Sequence, residues 1–228
     1  MTREIVANTD PNVVRIFVVR HGKTDYNAKK IMQGHLDIDM NDEGREQSEK
    51  AANHLKDIEL DYIVSSDLIR CVNTARAIAQ KQKKPFGNFP TTPDLRERNM
   101  GPVQGMQVQD ALEKYGPDFK NIGEKQEDLV NRVTQVWEQT FKKAVAENHT
   151  NTVLCTHGGV IRAFINHLYN VRGYKLAEGM TFEDLRVPFN TSVTMIDLDK
   201  TTGDGLIQNF GSTEHLGGHF VVSNQQLR

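Results

Sequence analysis

The chain carries a histidine between an arginine and a glycine, Arg20-His21-Gly22, directly after an apolar run. A guanidinium such as that of Arg20 can hold two phosphate oxygens at once, and Gly22 lets the backbone come close to a bound group. A neutral imidazole is a nucleophile toward phosphorus. A single histidine at a strand end is more often a structural hydrogen-bonding residue, so the chemical interpretation depends on its neighbours.

Further groups suited to an anion lie nearby and at a second histidine. Thr24 offers a hydroxyl and Asn27 an amide. His157 also follows an apolar run, and the backbone amides of Gly158 and Gly159 open the helix predicted after it, where an anion binds favourably. Both histidines therefore occur in a setting that favours phosphate binding.

Arg70 adds another guanidinium if it points to the same pocket. It lies one turn inside a helix that residues 65–67 are predicted to cap. Taken alone, Arg70 fits a surface salt bridge better. Two arginines and two histidines at strand ends or helix starts, however, fit a core role poorly.

The elements that must position these residues alternate along the chain. Residues 13–19 and 152–156 predict buried strands, each ending at one of the two histidines, and shorter strands are predicted at 62–64, 193–198 and 205–210. Helical patterns separate them, which predicts a three-layer α/β sandwich with a mostly parallel central sheet flanked by helices. Ligands bind beyond the carboxyl ends of such strands, so both histidines should meet there.

The length of 228 residues favours one domain, 1–228, with a loose N-terminal arm at 1–12. Residues 101–125, rich in glycine, proline and mixed apolar residues, predict a surface cap that selects the substrate. Its larger apolar side chains either contact the substrate or simply pack the cap onto the domain; they are Val103, Met106, Tyr115, Phe119 and Ile122. For Lys125, a side chain in solvent is favoured over one that contacts substrate.

The composition argues against several partners. Lys and Arg number 28 against 30 Asp and Glu, a net charge of -2, so no global field would hold a nucleic acid or an anionic membrane. The chain lacks a run of 18 apolar residues, and its N-terminal residues are polar. Cys71 and Cys155 lie in a predicted helix and strand, as reduced thiols do, which favours a cytoplasmic location. The sequence leaves the oligomeric state undecided.

Four motifs, in order, resemble the histidine phosphatase superfamily, which includes the cofactor-dependent phosphoglycerate mutases, with fungal broad-specificity phosphatases as the nearest relatives. The resemblance covers residues 20–216. The four motifs are Arg20-His21-Gly22-Lys23-Thr24, Ser66-Asp67-Leu68-Ile69-Arg70, Leu95-Arg96-Glu97 and Thr156-His157-Gly158-Gly159. Further matching residues are Asn27, Gln33-Gly34, Asp37, Thr74-Ala75 and the late Asn190-Thr191-Ser192-Val193 and His215-Leu216.

The resemblance implies a metal-independent phosphatase that hydrolyses small phosphorylated metabolites without a cofactor. His21 would become a phosphohistidine, while Arg20, Arg70 and His157 would bind the transferring group. Glu97 would be the general acid, because a neighbouring phosphate dianion favours its protonated form. An ion pair with Arg96 or Arg98 is the alternative for Glu97. The phosphate-binding set would comprise Arg20, Thr24, Asn27, Gln33, Gly34, Arg70 and Gly158.

Chemistry adds a requirement for His21. A ring nitrogen attacks only when it is neutral, so the other nitrogen should donate to a backbone carbonyl that fixes the tautomer.

Two alternatives remain open. Phosphoglycerate mutases carry an Asn-Lys pair and an Arg-Arg pair for a second anionic group, whereas this chain has Met106-Gln107 at the first place and no Arg-Arg pair. A non-catalytic binding protein on the same fold would be expected to lose His21 or Glu97, and both are present.

Two further patterns are interpreted as coincidental. The segment from Cys155 to Arg162 looks like a cysteine phosphatase loop but has six intervening residues where that family has five, so Cys155 is predicted to be a core residue. His215 and His219 have zinc-like spacing but no companion ligands, and no metal site is predicted.

Overall fold

The computed structural model describes residues 4–84 and 86–222, and within them one seven-stranded sheet forms the centre. In chain order the strands are β1 (Val13–Arg20), β2 (Tyr62–Ser66), β3 (Thr91–Thr92), β4 (Asn151–Thr156), β5 (Lys175–Leu176), β6 (Val193–Asp199) and β7 (Gly205–Ser212). Their order across the sheet is β3-β2-β4-β1-β6-β7-β5. Only β6 runs antiparallel to its neighbours, β1 and β7. The expectation of a mostly parallel sheet is confirmed.

Helices cover both faces of this sheet. They are α1 (Asp25–Ala28), α2 (Asp42–Leu55), α3 (Ile69–Lys81), α4 (Val108–Tyr115), α5 (Gln126–Ala146) and α6 (Gly158–Asn170), with short 3-10 turns at Pro93–Leu95, Gly101–Val103, Phe119–Asn121, Phe182–Asp184 and Glu214–Leu216. Side chains of β1 alternate between two cores: Ile16 and Val18 pack on the side of α5 and α6, while Phe17 and Val19 pack on the side of α2 and α3. This alternation produces the three layers that the sequence predicted.

The N-terminal segment is packed, so the expectation of a loose arm at 1–12 is wrong for its described part. Ile5 is buried in the core on the α2 and α3 side. The backbone N–H of Asn8 donates to Asn151 Oδ1 at 2.7 Å, and Asn151 returns a bond to the Asn8 carbonyl at 3.1 Å. Burial of one apolar side chain and pairing of two amides hold the segment against β4.

The start of α3 is capped from a distance rather than by residues 65–67. The N-cap residue is Leu68, and the N–H of Ile69 donates to Asp37 Oδ1 at 2.7 Å. Asp67 forms a bidentate ion pair with Arg96 at 2.7 and 2.6 Å. The loop before α2 therefore supplies the cap for the helix that carries Arg70.

The segment 101–125 contains α4 and a small apolar cluster of its own. Val103, Ala111 and Phe119 are buried in that cluster, and Met106 and Tyr115 pack against it. Packing of the segment thus accounts for these apolar side chains. Ile122 remains exposed.

The carboxyl ends of β1 and β4 lie side by side. Arg20 pairs in register with Thr156, and the backbone N–H of His21 donates to the Thr156 carbonyl at 3.0 Å. The imidazole centroids of His21 and His157 are consequently 5.1 Å apart. Among the described residues, no helix has the length and apolar character needed to cross a bilayer.

Candidate active site

A cavity of about 490 Å³ opens where β1 and β4 end. It brings together most of the residues that the sequence singled out. These are Arg20, His21, Asn27, Gln33, Gly34, Arg70, Glu97 and Gly158. Thr24 and His157 are absent from its lining and fully buried behind it.

His21 meets the chemical requirement for a nucleophile. Its Nδ1 lies 2.7 Å from the Gly22 carbonyl, and because a carbonyl only accepts, Nδ1 carries the proton and Nε2 keeps its lone pair. Burial lowers the pKa of His21 well below 6.5, and the positive charges of Arg70 and Arg20 lower it further. The ring is therefore neutral near pH 7, with a free lone pair on Nε2.

A late loop holds the backbone of His21. Its carbonyl accepts from the Thr191 N–H at 3.3 Å and from Asn190 Nδ2 at 3.0 Å. Thr191 has a φ of 58°, a left-handed conformation unusual for a branched residue, and its hydroxyl lies 3.1 Å from His215 Nε2. This network accounts for the late Asn190-Thr191 and His215 motifs.

His157 orients Arg70 from behind the cavity. Arg70 Nε donates to His157 Nδ1 at 3.3 Å, so the proton of His157 is on Nε2, which is 2.9 Å from Ser66 Oγ. Burial, followed by the charge of Arg70, lowers the pKa of His157 well below 6.5. The two histidines are thus neutral in opposite tautomers.

Arg70 itself is completely buried and anchored to the loop that contains Gly34. Its terminal nitrogens donate to the carbonyls of Leu36 at 2.7 Å and Gly34 at 2.9 Å. A guanidinium has five N–H groups, more than these contacts use, and Arg70 is one of the residues that line the cavity. The alternative of a surface salt bridge for Arg70 is wrong.

Arg20 is pressed against the start of α6. Its terminal nitrogen donates to the Pro188 carbonyl at 2.6 Å, and a Cβ added to Gly158 would lie 3.0 Å from its guanidinium carbon. Gly158 is therefore needed for the close approach of this arginine rather than for backbone freedom.

Thr24 and Asn27, both expected to bind phosphate, have different positions in the structure. The Thr24 hydroxyl caps α1: it accepts from the Asn27 N–H at 3.1 Å and lies 3.2 Å from Asn27 Oδ1. Thr24 is fully buried outside the cavity lining, so the structure does not place it in the expected phosphate pocket. Asn27 Oδ1 accepts from the Thr24 N–H at 3.1 Å and from Asn190 Nδ2 at 3.3 Å. The Asn27 amide nitrogen is left as the atom that can donate to a bound anion. Gln33 lines the same wall, and its buried Oε1 has no partner among the described residues.

Glu97 lines the same cavity as His21, and backbone amides hold its carboxyl. The Arg98 N–H donates to its Oε1 at 2.9 Å and the Gly159 N–H to its Oε2 at 3.0 Å. Arg96 is bound to Asp67 instead, and the Arg98 side chain donates elsewhere. The alternative of an ion pair with Arg96 or Arg98 is wrong, and the carboxyl borders the cavity.

Comparison with known proteins agrees with this geometry. The model of the histidine phosphatase superfamily (branch 1) matches residues 16–209. The chain belongs to the histidine phosphatase superfamily.

Similar proteins include phosphatases. The chain is 40% identical to a broad-specificity phosphatase of Saccharomyces cerevisiae over the full length of both. It is 34% identical to a metal-independent phosphoserine phosphatase of Arabidopsis thaliana over 68% of each chain. A phosphoglycerate mutase from Bacillus anthracis shares the fold, with a TM-score of 0.74 and 23% identity over 90% of this chain and 96% of that one. Family membership and these relatives support the expected phosphatase enzyme.

One residue that supports the site in this histidine phosphatase was missed by the sequence analysis. Arg132 of α5 donates to the carbonyls of Asp94 at 2.7 Å, Arg96 at 2.8 Å and Glu97 at 3.1 Å. It also forms a bidentate pair with Glu124 at 2.6 and 2.9 Å. Arg132 thereby fixes the segment that presents Glu97.

A signal for Arg132 existed in the sequence. It lies between Leu129 and Val133, both on the buried face of α5. A charged residue at the edge of an apolar helix face needs buried partners, and here they are carbonyls more than thirty residues away.

The cavity is also lined by three cations that were not predicted to bind substrate. Arg98, Lys120 and Arg162 all line it. Burial, then the charges of Arg162 and Arg98, lower the pKa of Lys120 to about 8. Arg162 was considered only as part of the cysteine phosphatase pattern.

The coincidental patterns have structural explanations. Cys155 is a fully buried strand residue whose thiol contacts the Cys71 carbonyl at 3.5 Å. His215 packs against His54, with ring centroids 5.7 Å apart, whereas His219 is exposed. Within residues 4–84 and 86–222, no three His, Cys, Asp or Glu side chains are grouped as a metal site would require.

Proposed function

We propose that the chain hydrolyses small organic phosphomonoesters without a metal, through a phosphohistidine on His21. The observation that carries the proposal is the neutral His21 ring, with Nε2 unprotonated, in a cavity that Arg20, Arg70 and Glu97 also line. The arginines supply the positive charge that a metal ion supplies in other phosphoryl transfers. Glu97 supplies a proton donor.

The first step transfers the phosphoryl group to the protein. The bond from His21 Nε2 to phosphorus forms while the bond from phosphorus to the ester oxygen breaks. Arg20 and Arg70 stabilise the charge on the equatorial oxygens, and protonated Glu97 gives its proton to the leaving alkoxide. Nδ1 keeps its proton, which it donates to the Gly22 carbonyl, so the phosphorylated imidazole is cationic. A cationic imidazole is a good leaving group when phosphorus is attacked in the next step.

The second step returns the enzyme to its starting state. Glu97, now a carboxylate, accepts a proton from water as the water oxygen attacks phosphorus. The bond from phosphorus to Nε2 breaks, and inorganic phosphate departs. His21 regains the neutral tautomer that it had at the start.

Hydrolysis is favoured over transfer back to substrate because the chain has Met106-Gln107 at the place where mutases carry an Asn-Lys pair, and has no Arg-Arg pair. We propose that residues 1–228 form one histidine phosphatase domain, with 101–125 as its substrate cap. Val108 and Lys120 of this segment line the cavity.

We further propose a cytoplasmic location. Its support is that Cys71 and Cys155 are both free and buried, as is usual for thiols in a reducing compartment. Fractionation of cells that express the tagged chain tests this location.

Phosphate release from a panel of phosphomonoesters in excess chelator tests the proposed reaction. Isomer formation from 3-phosphoglycerate is followed in parallel, with and without 2,3-bisphosphoglycerate. Chelator-resistant release without isomerisation supports the proposal. Isomerisation faster than release would make the chain a mutase, and no turnover of any ester would favour a binding protein.

A further inference from the structure

Lys120 is a half-buried lysine that the proposed reaction does not use. It lies in the 3-10 turn Phe119–Asn121 of the cap, and its Nζ is 5.8 Å from the centroid of the Phe119 ring. Phe119 is itself buried in the apolar cluster of the cap. Lys120 also lines the cavity that contains His21. A packed turn of the cap therefore carries an amine at the same cavity as the nucleophile.

Two neighbouring guanidinium groups disfavour the protonated form of Lys120. Partial burial lowers its pKa most, and the charges of Arg162 and Arg98 lower it further, to about 8. The two arginines belong to separate segments, and Arg98 is fixed because its Nε donates to the Glu124 carbonyl at 2.7 Å. Among the described residues that line the cavity, Glu97 is the only acidic side chain that could stabilise the ammonium form.

An amine in this setting is a nucleophile toward carbonyl carbon. Lysines become nucleophilic in proteins when they are desolvated or lie beside another cation, and Lys120 meets both conditions. At pH 7.4 roughly a fifth of an amine with a pKa of about 8 is unprotonated, against fewer than about one in a thousand for an ordinary lysine. The reactive form is therefore enriched on the order of 100-fold at Lys120.

A phosphoryl group bound beside His21 can bring a carbonyl group to this amine. A Cβ on Gly158, at the start of α6, would lie 3.0 Å from the Arg20 guanidinium carbon, so Arg20 contacts that end of the helix. Arg162 follows Gly158 by four helical residues and lies about 6 Å farther along the axis. Lys120 is close enough to Arg162 for their charges to interact. A short carbon chain attached to the bound phosphoryl group therefore spans the distance to Lys120.

We propose that Lys120 is a covalent modification site for short phosphorylated aldehydes, which it captures as an imine. This inference rests on the proposed binding of phosphate at Arg20 and Arg70 and goes beyond ester hydrolysis. The lone pair of Lys120 Nζ attacks the aldehyde carbon, the carbon–nitrogen double bond forms, and the carbon–oxygen double bond breaks. The oxygen leaves as water with the two protons that Nζ loses. The imine occupies the cavity and blocks ester binding until water reverses it.

Reductive trapping tests the modification site. The probes are glycolaldehyde phosphate and glyceraldehyde 3-phosphate, each compared with the same aldehyde without its phosphate. Sodium cyanoborohydride delivers hydride to the imine carbon and leaves a stable secondary amine, which intact mass and peptide mapping locate. Labelling is measured in the wild type and in His21→Ala, because that variant should bind the phosphate of the probe without hydrolysing it.

Lys114→Met and Lys30→Met are the matched controls for Lys120→Met. Lys114 is an exposed lysine of α4 outside the cavity lining, whereas Lys30 is exposed but does line the cavity. We expect a single label, on Lys120, formed at least about tenfold faster from one phosphorylated aldehyde than from its unphosphorylated form, because the bound phosphate holds the carbonyl near the amine. Inorganic phosphate should slow labelling, and the labelled chain should no longer hydrolyse p-nitrophenyl phosphate. Lys120→Met should remove the label, and both controls should keep it.

The outcomes separate the modification site from the reaction. No label, label spread over other lysines, or equal labelling by aldehydes with and without phosphate would each overturn the proposal. Mapping of the wild type locates the label even if Lys120→Met does not fold. Release of phosphate from p-nitrophenyl phosphate by the unlabelled chain shows independently that the phosphatase function stands. Absence of that release, with Lys120 labelled and inorganic phosphate protecting it, would refute the phosphatase function and leave the modification site in place.

Discussion

A methyl group added at Gly159 is expected to displace the proton donor without disturbing the nucleophile. An alanine Cβ there would lie 2.5 Å from Glu97 Oε1 and 3.1 Å from its Cδ, whereas ordinary contact begins at 3.4 Å. The blocking atoms belong to the end of a flexible side chain, so the helix can stay and the carboxyl must move. The three heavy atoms nearest to this methyl group all belong to Glu97, and none belongs to His21.

The size of the effect follows from that displacement. A shift of the carboxyl by about 1 Å is expected to reduce kcat/KM for alkyl phosphates on the order of 100-fold, the usual cost of such a misplacement. p-Nitrophenyl phosphate should lose less than about tenfold, because its leaving group needs little protonation. Alanine favours the helix over glycine by up to about 1 kcal/mol, and the displacement of the carboxyl works against this gain. The free energy of unfolding should therefore be almost unchanged.

Steady-state kinetics on both esters and thermal unfolding measure these effects. Gly87→Ala is the matched control, since a Cβ at Gly87 has no heavy atom within 4 Å. Glu97→Gln should also impair alkyl phosphates more than the aryl ester. In that background Gly159→Ala should cost little more, because both changes act on one group.

Two results would refute the reasoning. An equal loss on both esters would mean that Gly159→Ala does not act through proton donation. A full additional loss in the Glu97→Gln background would mean that it acts on some other residue.

Three further predictions concern the nucleophile, the pH dependence and the support of Glu97. His21→Ala should abolish turnover and also the acid-labile phosphoprotein that rapid quenching is expected to trap in the wild type. The variant should still bind inorganic phosphate in calorimetry because the arginines remain, and persistent turnover would contradict the mechanism. The pKa of His21 and of His157 lies well below 6.5 in the folded chain, so below that pH only the unfolded chain binds these protons. The free energy of unfolding in urea should therefore fall with pH below 6.5, by up to about 1.4 kcal/mol per pH unit for each ring, and His157→Asn should flatten the dependence. Arg132→Met should cost about 3 kcal/mol of stability, because the largely buried Glu124 carboxylate would lose its ion-pair partner and keep the Asn99 N–H. Glu124→Met added to it should restore part, whereas additive losses would argue against the pair.

Local pattern was enough to predict the centre of the site. The apolar runs that end at His21 and His157 had to be buried strands, and neighbouring parallel strands place their carboxyl ends at one edge. The motif containing Glu97 also predicted that this residue belongs to the site, although the position of the Glu97 carboxyl depends on the Gly159 amide. These inferences held because strand ends and helix starts are determined by nearby residues.

Inferences about individual polar side chains failed more often. Thr24 was expected in the phosphate pocket, but its hydroxyl caps α1. Residues 65–67 were expected to cap α3, but Asp37 does so from the loop before α2. A polar side chain takes the partner that the packed chain brings closest, and local spacing does not identify that partner.

By itself the sequence determined the layered fold, the paired strand ends and the histidine with its arginines, because apolar periodicity and strand order decide these. Only the tertiary structure decided the rest. It placed Arg132 of α5 behind Glu97 and brought Lys120 of the cap next to Arg162 of α6. The physical reason is that these contacts depend on how separate segments pack against one another, and a side chain's direction in the packed molecule is not encoded by its own neighbours in the chain.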